Sequence, residues 1–167
     1  MSLVVIGTLA YDSVETVHDR RENALGGSAM YFAVAAAPYI SPLLVGAVGD
    51  DWRDEDTAML KKRGVDLAGL EKVPGGKTRH TTFTELNVLE TFDPKLPANY
   101  RDAKFVFLAN AHPAVQMQGL AQVEAPAFSV ADTMNLWIDI ALDDLKALMQ
   151  KIDGLILNDE EARMLTG

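Results

Sequence analysis

The sequence contains no cysteine, which excludes disulfide bonds and thiolate metal sites. It is also poor in basic residues, since 15 Lys and Arg stand against 24 Asp and Glu and give a formal net charge of -9. Surfaces that bind nucleic acids need clustered Lys and Arg, so we expect no nucleic-acid partner. A single small nucleotide remains possible as a ligand, because it needs only a few well-placed donors.

Long hydrophobic runs are absent as well. No run approaches the roughly 20 residues that span a bilayer, and the apolar stretch from 33 to 44 is interrupted by Pro38 and Pro42. Residues 3–7, Leu-Val-Val-Ile-Gly, predict a strand that begins within the first few residues. The basic region and cleavage site of a secretory leader do not precede it. We therefore expect no membrane partner and a cytoplasmic protein. The length of 167 residues suits one compact domain.

Short apolar strands alternate with helical segments along the chain. The predicted strands are 3–6, 43–48, 105–108, 127–131 and 154–157, and the predicted helices are 29–37, 53–63, 115–123, 142–151 and 159–165. This alternation predicts βαβ units, and hence an α/β domain with a parallel sheet and right-handed crossovers. The segment 65–92 has a β-prone composition without a helical period, which predicts a small antiparallel excursion from the main sheet.

Two features near the N-terminus are candidates for ligand binding, because ligands of open α/β sheets bind beyond the carboxyl ends of the strands. Asp12 follows the first strand, and its carboxylate can accept hydrogen bonds from two ligand hydroxyls. The alternative is a solvated loop aspartate. Gly26-Gly27 precedes a helix and either allows the backbone to approach a ligand closely or forms an ordinary turn.

A third candidate lies after the last predicted strand. Asn158 and Glu161 form an Asn-x-x-Glu sequence at a helix start. Their oxygens can order waters around Mg²⁺, but the same spacing is that of a capping box. No Gly-x-Gly-x-x-Gly follows the first strand, which disfavours a dinucleotide-binding domain.

The order of these motifs resembles the ribokinase-like (PfkB-type) family of carbohydrate and nucleoside kinases. Asp12 stands where that family places its first substrate-binding aspartate. Residues 158–161 and 165–167 resemble its Asn-x-x-Glu motif and the helix that follows. Four segments of this sequence resemble the first signature of the family, namely Gly26-Gly27-Ser28-Ala29, residues 33–37, residues 45–51 and Gly64-Val65-Asp66.

The resemblance implies a three-layer, doubly wound, mostly parallel sheet with a small β lid. Residues 1–167 would be the N-terminal part of one such domain, with the lid around 65–92 and the ATP-binding part absent from this chain. Members of the family use ATP and Mg²⁺ to phosphorylate a hydroxymethyl group of a sugar or nucleoside. A homodimer through the lid is a further expectation.

Site residues follow from the same resemblance. Asp12, Gly26 and Gly27 would hold the substrate. Tyr31 stands where sugar kinases often carry Asn, and as an aromatic wall it would stack on a base. The stretch from 77 to 84 is short for a complete lid.

Cofactor binding would fall to Asn158 and Glu161, close to the phosphates, with Glu161 contacting Mg²⁺ through water. The Gly-Ala-Gly-Asp turn that supplies the anion hole and general base of the family does not occur in the sequence. No catalytic residue is therefore expected in this chain, and the chain alone is expected to be inactive. The alternative function is a non-catalytic sugar- or nucleoside-binding module of the same ancestry.

Overall fold

The structure, a computed structural model, describes residues 2–80 and 87–167. The strands in these ranges are β1 (Leu3–Ile6), β2 (Ala10–Glu15), β3 (Arg20–Gly26), β4 (Pro42–Val48), β5 (Asp66–Lys72), β6 (Arg79–His80), β7 (Phe105–Leu108), β8 (Phe128–Asp132) and β9 (Gly154–Ile156). The helices are α1 (Ser28–Ala36), α2 (Asp54–Lys62), α3 (Pro113–Leu120), α4 (Asn135–Ile140), α5 (Leu142–Met149) and α6 (Asp159–Thr166). Two short 3-10 turns lie at Asn87–Leu89 and Ala98–Tyr100.

Six of these strands form a parallel sheet in the order β5-β4-β1-β7-β8-β9. The chain proceeds from β1 towards one edge through β4 and β5, and then returns to the other side of β1 with β7. The carboxyl end of β1 is thus the switch point of the sheet, where ligands of doubly wound folds bind. The predicted fold class, a doubly wound parallel sheet, is confirmed.

Helices cover both faces of this sheet, because alternate residues of each strand point to opposite sides. Val4 and Ile6 belong to one buried cluster, together with residues of α4 and α5. Val5 belongs to a second cluster with residues of α1 and α2. The strands are apolar on both faces for this reason, and the architecture has three layers.

The small sheet does not lie where the sequence placed it. Its strand order is β3-β2-β6, with β2 and β3 antiparallel, so most of it comes from residues 10–26 rather than from 65–92. Within the predicted segment, β5 joins the main sheet as a parallel neighbour of β4, and only β6 belongs to the small sheet. Residues 81–86 of that segment lie outside the described residues.

The physical reason is that β3 and β5 are both partly exposed and carry a weak apolar pattern. β3 begins Arg-Arg-Glu-Asn and is exposed over its first four residues, so it lacks the apolar alternation that marks a half-buried strand. β5 lies at the edge of the main sheet and is half exposed, which weakens its apolar signal in the same way.

No helix in the described ranges is both long enough and apolar enough to cross a bilayer.

Candidate functional site

Side chains from distant parts of the sequence meet at the carboxyl edge of the main sheet. Ser28 begins α1, Asn110 follows β7, and Asp132 is the last residue of β8. The hydroxyl of Ser28 donates a hydrogen bond to Oδ2 of Asp132. The same Oγ accepts a hydrogen bond of 3.4 Å from the backbone N–H of Asn110. The N-terminus of α1 is therefore tied to the ends of two sheet strands.

Asp12 and Gly26, which the sequence analysis singled out together, lie against each other. They belong to the paired strands β2 and β3, where Asp12 is opposite Ala24 and Gly26 is opposite Ala10. A Cβ atom on Gly26 would lie 1.9 Å from Oδ2 of Asp12. Any residue other than glycine would therefore displace the carboxylate, so the glycine makes the room that this side chain occupies.

Gly27 packs on the backbone that follows β1. Its φ of 95° lies in the region that favours glycine, and a Cβ atom there would lie 2.5 Å from the carbonyl oxygen of Thr8. That carbonyl also accepts a hydrogen bond of 3.1 Å from the N–H of Ala29. The turn that carries Gly26 and Gly27 is thereby fixed over the switch point of the sheet.

Gln116 connects the carboxyl ends of β7 and β8 through hydrogen bonds. It lies on α3 and is only 1% exposed. Its Nε2 donates to the backbone carbonyls of Leu108 at 2.9 Å and Asp132 at 3.0 Å, so it holds the ends of β7 and β8 together. Sequence analysis missed this residue, although a glutamine in a largely apolar helix is a usable signal.

Asp132 has an unusual electrostatic environment. Burial raises the pKa of its carboxyl group from 3.8 to about 6, the hydrogen bond from Ser28 lowers it, and the negative charge of Glu161 raises it further. Among the described residues, its Oδ1 is buried without a hydrogen-bond partner. Asp132 was not among the candidates selected from the sequence, even though an acid at a strand end is a recognisable signal.

The Asp132 and Glu161 carboxylates together offer oxygen ligands of the kind that Mg²⁺ prefers. Within residues 2–80 and 87–167, no group of three or more His, Cys, Asp or Glu side chains is placed to hold a metal ion. Mg²⁺ retains several waters and commonly takes one or two carboxylates from the protein. The two carboxylates therefore have the chemistry of ligands for a hydrated Mg²⁺ ion.

Asn158 and Glu161 form a reciprocal capping box at the start of α6. The N–H of Asn158 donates to Oε2 of Glu161 at 3.0 Å, and the N–H of Glu161 donates to Oδ1 of Asn158 at 2.8 Å. The capping alternative is therefore observed in the geometry. Capping does not prevent either residue from contacting a metal or phosphate. The negative charge of Glu161 also acts on Asp132, whose pKa it raises.

Tyr31 lies in α1, where its N–H donates to the carbonyl of Gly27 at 3.0 Å. Its side chain is 57% exposed. The hydroxyl lies 3.5 Å from the carbonyl oxygen of Leu25, at the end of β3. The structure thus places Tyr31 beside the turn that carries Gly26 and Gly27.

A cavity of about 310 Å³ opens at the same sheet edge, on the side of β7 and α4. Its lining is mainly apolar and aromatic, and the polar side chains in it are those of Thr8, Glu90, Asn110 and His112. The apolar and aromatic part of the lining includes Phe92, Ala111, Met134 and Trp137.

Asn110 is held by two neighbours in this cavity. Nε1 of Trp137 donates to Oδ1 of Asn110 at 2.9 Å, and Nδ2 of Asn110 points to Sδ of Met134 at 3.2 Å. Trp137 is 4% exposed, and its ring meets that of His112 edge-on at 5.1 Å. The cavity could not be predicted from the sequence, because Met134 and Trp137 are positioned by α4, which was not among the predicted helices.

Comparison with known proteins identifies relatives of this fold. No family model matches the chain. Among curated proteins, the cytidine kinase of Thermococcus kodakarensis is 26% identical over 182 residues, with 100% of this chain and 65% of that protein covered.

Solved structures match nearly the whole chain. The nucleoside kinase of Methanocaldococcus jannaschii, an archaeal member of the ribokinase family, has a TM-score of 0.76 at 14% identity over 99% of this chain and 64% of its own. The Burkholderia thailandensis nucleoside kinase in complex with inosine has a TM-score of 0.79 at 13% identity, with 98% of this chain and 63% of that chain covered. The ribokinase of Cryptococcus neoformans with ADP has a TM-score of 0.70 at 19% identity, over 98% and 58%.

These likenesses establish the fold. The ribokinase-like fold expected from the motifs is confirmed, and the neighbours that carry it are nucleoside and sugar kinases. The chain spans 65% of the length of the cytidine kinase that it matches.

Proposed function

We propose that this chain forms the substrate-binding part of an ATP-dependent kinase that phosphorylates a hydroxymethyl group of a sugar or nucleoside. The observation that carries the proposal is the contact of Asp12 with Gly26. A carboxylate and a glycine turn lie together at the switch point of a doubly wound sheet, where the Cβ position of Gly26 is 1.9 Å from Oδ2 of Asp12. This arrangement offers a charged acceptor for ligand hydroxyls, held in place by the glycine turn.

The proposed task of these residues is positioning. Asp12 accepts hydrogen bonds from two hydroxyls of the substrate, and hydrogen bonds to charged groups contribute about 1.5–3 kcal/mol each. Gly26 and Gly27 serve the substrate indirectly, since Gly26 leaves room for the Asp12 carboxylate and Gly27 lets the turn pack on Thr8. Tyr31 shields the outer side of the substrate. Fixing the acceptor hydroxymethyl in this way supplies much of what phosphoryl transfer requires, since that reaction depends on placement and charge stabilisation.

ATP and Mg²⁺ belong to the proposal as cofactors. Asp132 and Glu161 would hold a hydrated Mg²⁺, and Asn158 would keep Glu161 in place through the capping box. When bound, the ion would neutralise charge on the transferring phosphate. No general base or anion hole is assigned to this chain, and catalysis would need groups outside its 167 residues.

The relatives support the choice of reaction. They include a cytidine kinase, a nucleoside kinase in complex with inosine and a ribokinase with ADP. A small-molecule substrate and a nucleotide cofactor follow for this chain as proposals. The small sheet, as a lid over the substrate and a surface for a homodimer, is part of the same proposal, and so is a cytoplasmic location, where the ATP that it invokes is available.

The test is ADP release by the full protein that contains this chain, with ATP, Mg²⁺ and a panel of sugars and nucleosides. We expect release with at least one panel member, and none when EDTA removes Mg²⁺. A protein consisting of the 167 residues alone should bind the same substrate without releasing ADP. If the full protein binds a panel member but releases no ADP with any, it is a non-catalytic binding module and the proposal is wrong.

A further inference from the structure

We propose that the cavity of about 310 Å³ beside β7 and α4 is a nucleobase subsite, in which Asn110 donates a hydrogen bond to the base of a nucleoside substrate. The inference rests on the proposed function, because it assigns that kinase to nucleosides rather than to simple sugars. It adds a binding site and a specificity-determining residue that the motifs did not indicate.

The orientation of the Asn110 amide is the first step. Trp137 Nε1 donates to Oδ1 of Asn110 at 2.9 Å, which uses the acceptor end of the amide. Within the described residues, the donor end, Nδ2, has the sulfur of Met134 at 3.2 Å as its partner, and a thioether is a weak acceptor. A ligand that presents a carbonyl oxygen or an unprotonated ring nitrogen would provide a stronger partner for Nδ2. Every common nucleobase presents such an atom.

Thr8 gives a second, independent indication of a polar ligand. It is 3% exposed and lines the cavity, and its Oγ1 is buried without a hydrogen-bond partner within the described ranges. A buried hydroxyl without a partner carries a cost of about 1–3 kcal/mol, which a ligand atom at hydrogen-bonding distance would remove.

The walls suit a flat aromatic ring. Phe92 and Trp137 are 7% and 4% exposed, and both line the cavity. Apolar and aromatic walls with few polar atoms are typical of small-molecule sites, whose volumes begin at about 300 Å³. Aromatic side chains contribute about 1–3 kcal/mol per stacked base. A free sugar carries hydroxyls on most of its edges, and most of them would face the apolar part of this lining.

The position of the cavity connects it to the proposed sugar site. Thr8 lines the cavity, and its carbonyl oxygen is 2.5 Å from the Cβ position of Gly27. The cavity and the Asp12–Gly26 pair therefore adjoin the same backbone segment. A ligand with a polyol at Asp12 and a planar heterocycle in the cavity has the composition of a nucleoside.

The test uses the full protein in a background in which Trp52 and every tryptophan outside these 167 residues are replaced by Phe, so that Trp137 is the single fluorescent tryptophan. Cytidine, inosine and ribose are titrated, with Trp137 fluorescence and calorimetry as the measurements. We expect the nucleosides to quench Trp137 and ribose to leave it unchanged. Asn110→Asp keeps the acceptor for Trp137 but replaces the donor by a second acceptor, so nucleoside affinity should fall about ten- to hundredfold.

Two further variants keep the test informative. Ala111→Leu fills part of the cavity and leaves the Asn110 side chain itself unaltered, and it should weaken nucleoside binding at least tenfold while ribose affinity stays unchanged. Asn135→Asp makes the same chemical change as Asn110→Asp at the exposed start of α4 and should leave all affinities unchanged. If neither nucleoside binds, or if nucleoside affinity is unaffected by both cavity variants, the subsite does not exist.

The outcome separates this inference from the proposed kinase. If the protein releases ADP with a sugar and neither cavity variant changes its nucleoside affinity, the kinase proposal stands and the nucleobase subsite is rejected. Nucleoside binding that responds to both variants without ADP release keeps the subsite and rejects the kinase.

Discussion

Ser28 Oγ donates a hydrogen bond to Oδ2 of Asp132, and this contact joins residues that are 104 positions apart in the sequence. It links the first turn of α1 to the end of β8. The turn that carries Gly26 and Gly27 is therefore held in part by an acid whose own charge is disfavoured by burial. The protonation of Asp132 should consequently affect stability.

The first prediction concerns the pH dependence of unfolding. Folding raises the pKa of Asp132 from 3.8 to about 6, so the folded chain binds this proton more tightly than the unfolded chain. The resulting stabilisation is fully present below about pH 4 and is lost as pH rises through about 6. A pKa rise of this size corresponds to at most about 3 kcal/mol.

Asp132→Asn isolates this contribution, because the amide keeps an acceptor for Ser28 and does not titrate. In metal-free buffer, the stability of wild type relative to Asp132→Asn should fall between pH 4 and 7, as measured by urea unfolding. The exposed Asp139→Asn is the control, and its difference from wild type should not change with pH. A constant difference for Asp132→Asn would contradict the assignment.

The second prediction concerns Gly27. Its φ is 95° and its Cβ position is 2.5 Å from the Thr8 carbonyl oxygen, so Gly27→Ala combines backbone strain with a clash against main chain. Gly75 has a φ of 72° with nothing within 4 Å of its Cβ position. Gly75→Ala should cost about 1–2 kcal/mol of unfolding free energy from φ alone. Gly27→Ala should cost clearly more in the same urea titrations, and equal losses would show that the turn yields to the methyl group.

Much of the main sheet could be predicted from sequence, because its strands are buried on both faces and form continuous apolar runs. β1 and β7 were predicted with their observed bounds, Leu3–Ile6 and Phe105–Leu108. The hairpin of β2 and β3 could not, since its charged residues face solvent.

The candidate site was predictable only in part, for a similar reason. Asp12 and Gly26 were recognised from motif order, and they do lie together. Asn110 and Trp137 were not, because their contact at 2.9 Å joins a loop after β7 to a helix only six residues long. No local pattern in the sequence indicates a pairing of that kind.

The third prediction separates capping from metal binding at Asn158 and Glu161. Asn158→Ala removes one capping hydrogen bond and should lower stability by about 1 kcal/mol. Glu161→Gln retains a capping acceptor for the N–H of Asn158 but removes the negative charge. It should therefore leave the melting temperature nearly unchanged while lowering the pKa of Asp132.

In the full protein, the same Glu161→Gln variant should raise the Mg²⁺ concentration needed for half-maximal ADP release. Capping alone would leave that concentration where it is in wild type. An unchanged Mg²⁺ dependence together with an unchanged melting temperature would limit Glu161 to the helix end.

The fourth prediction concerns substrate affinity and uses Asp12 and Gly26 as a pair. Asp12→Asn removes the charge and replaces one acceptor oxygen by a donor, so substrate affinity in the full protein should fall about ten- to hundredfold. ATP affinity should stay unchanged. The exposed Asp102→Asn provides the matched control, and it should alter neither affinity.

Gly26→Ala should weaken substrate binding by displacing the carboxylate, because the new Cβ would lie 1.9 Å from Oδ2 of Asp12. If both single variants act through that carboxylate, the double variant should bind about as weakly as the worse of the two. Gly154→Ala places a methyl group at an ordinary 3.5 Å from Val130 and should leave affinity unchanged. Additive losses in calorimetric titrations would mean that Gly26 contacts the substrate through its own backbone, independently of Asp12.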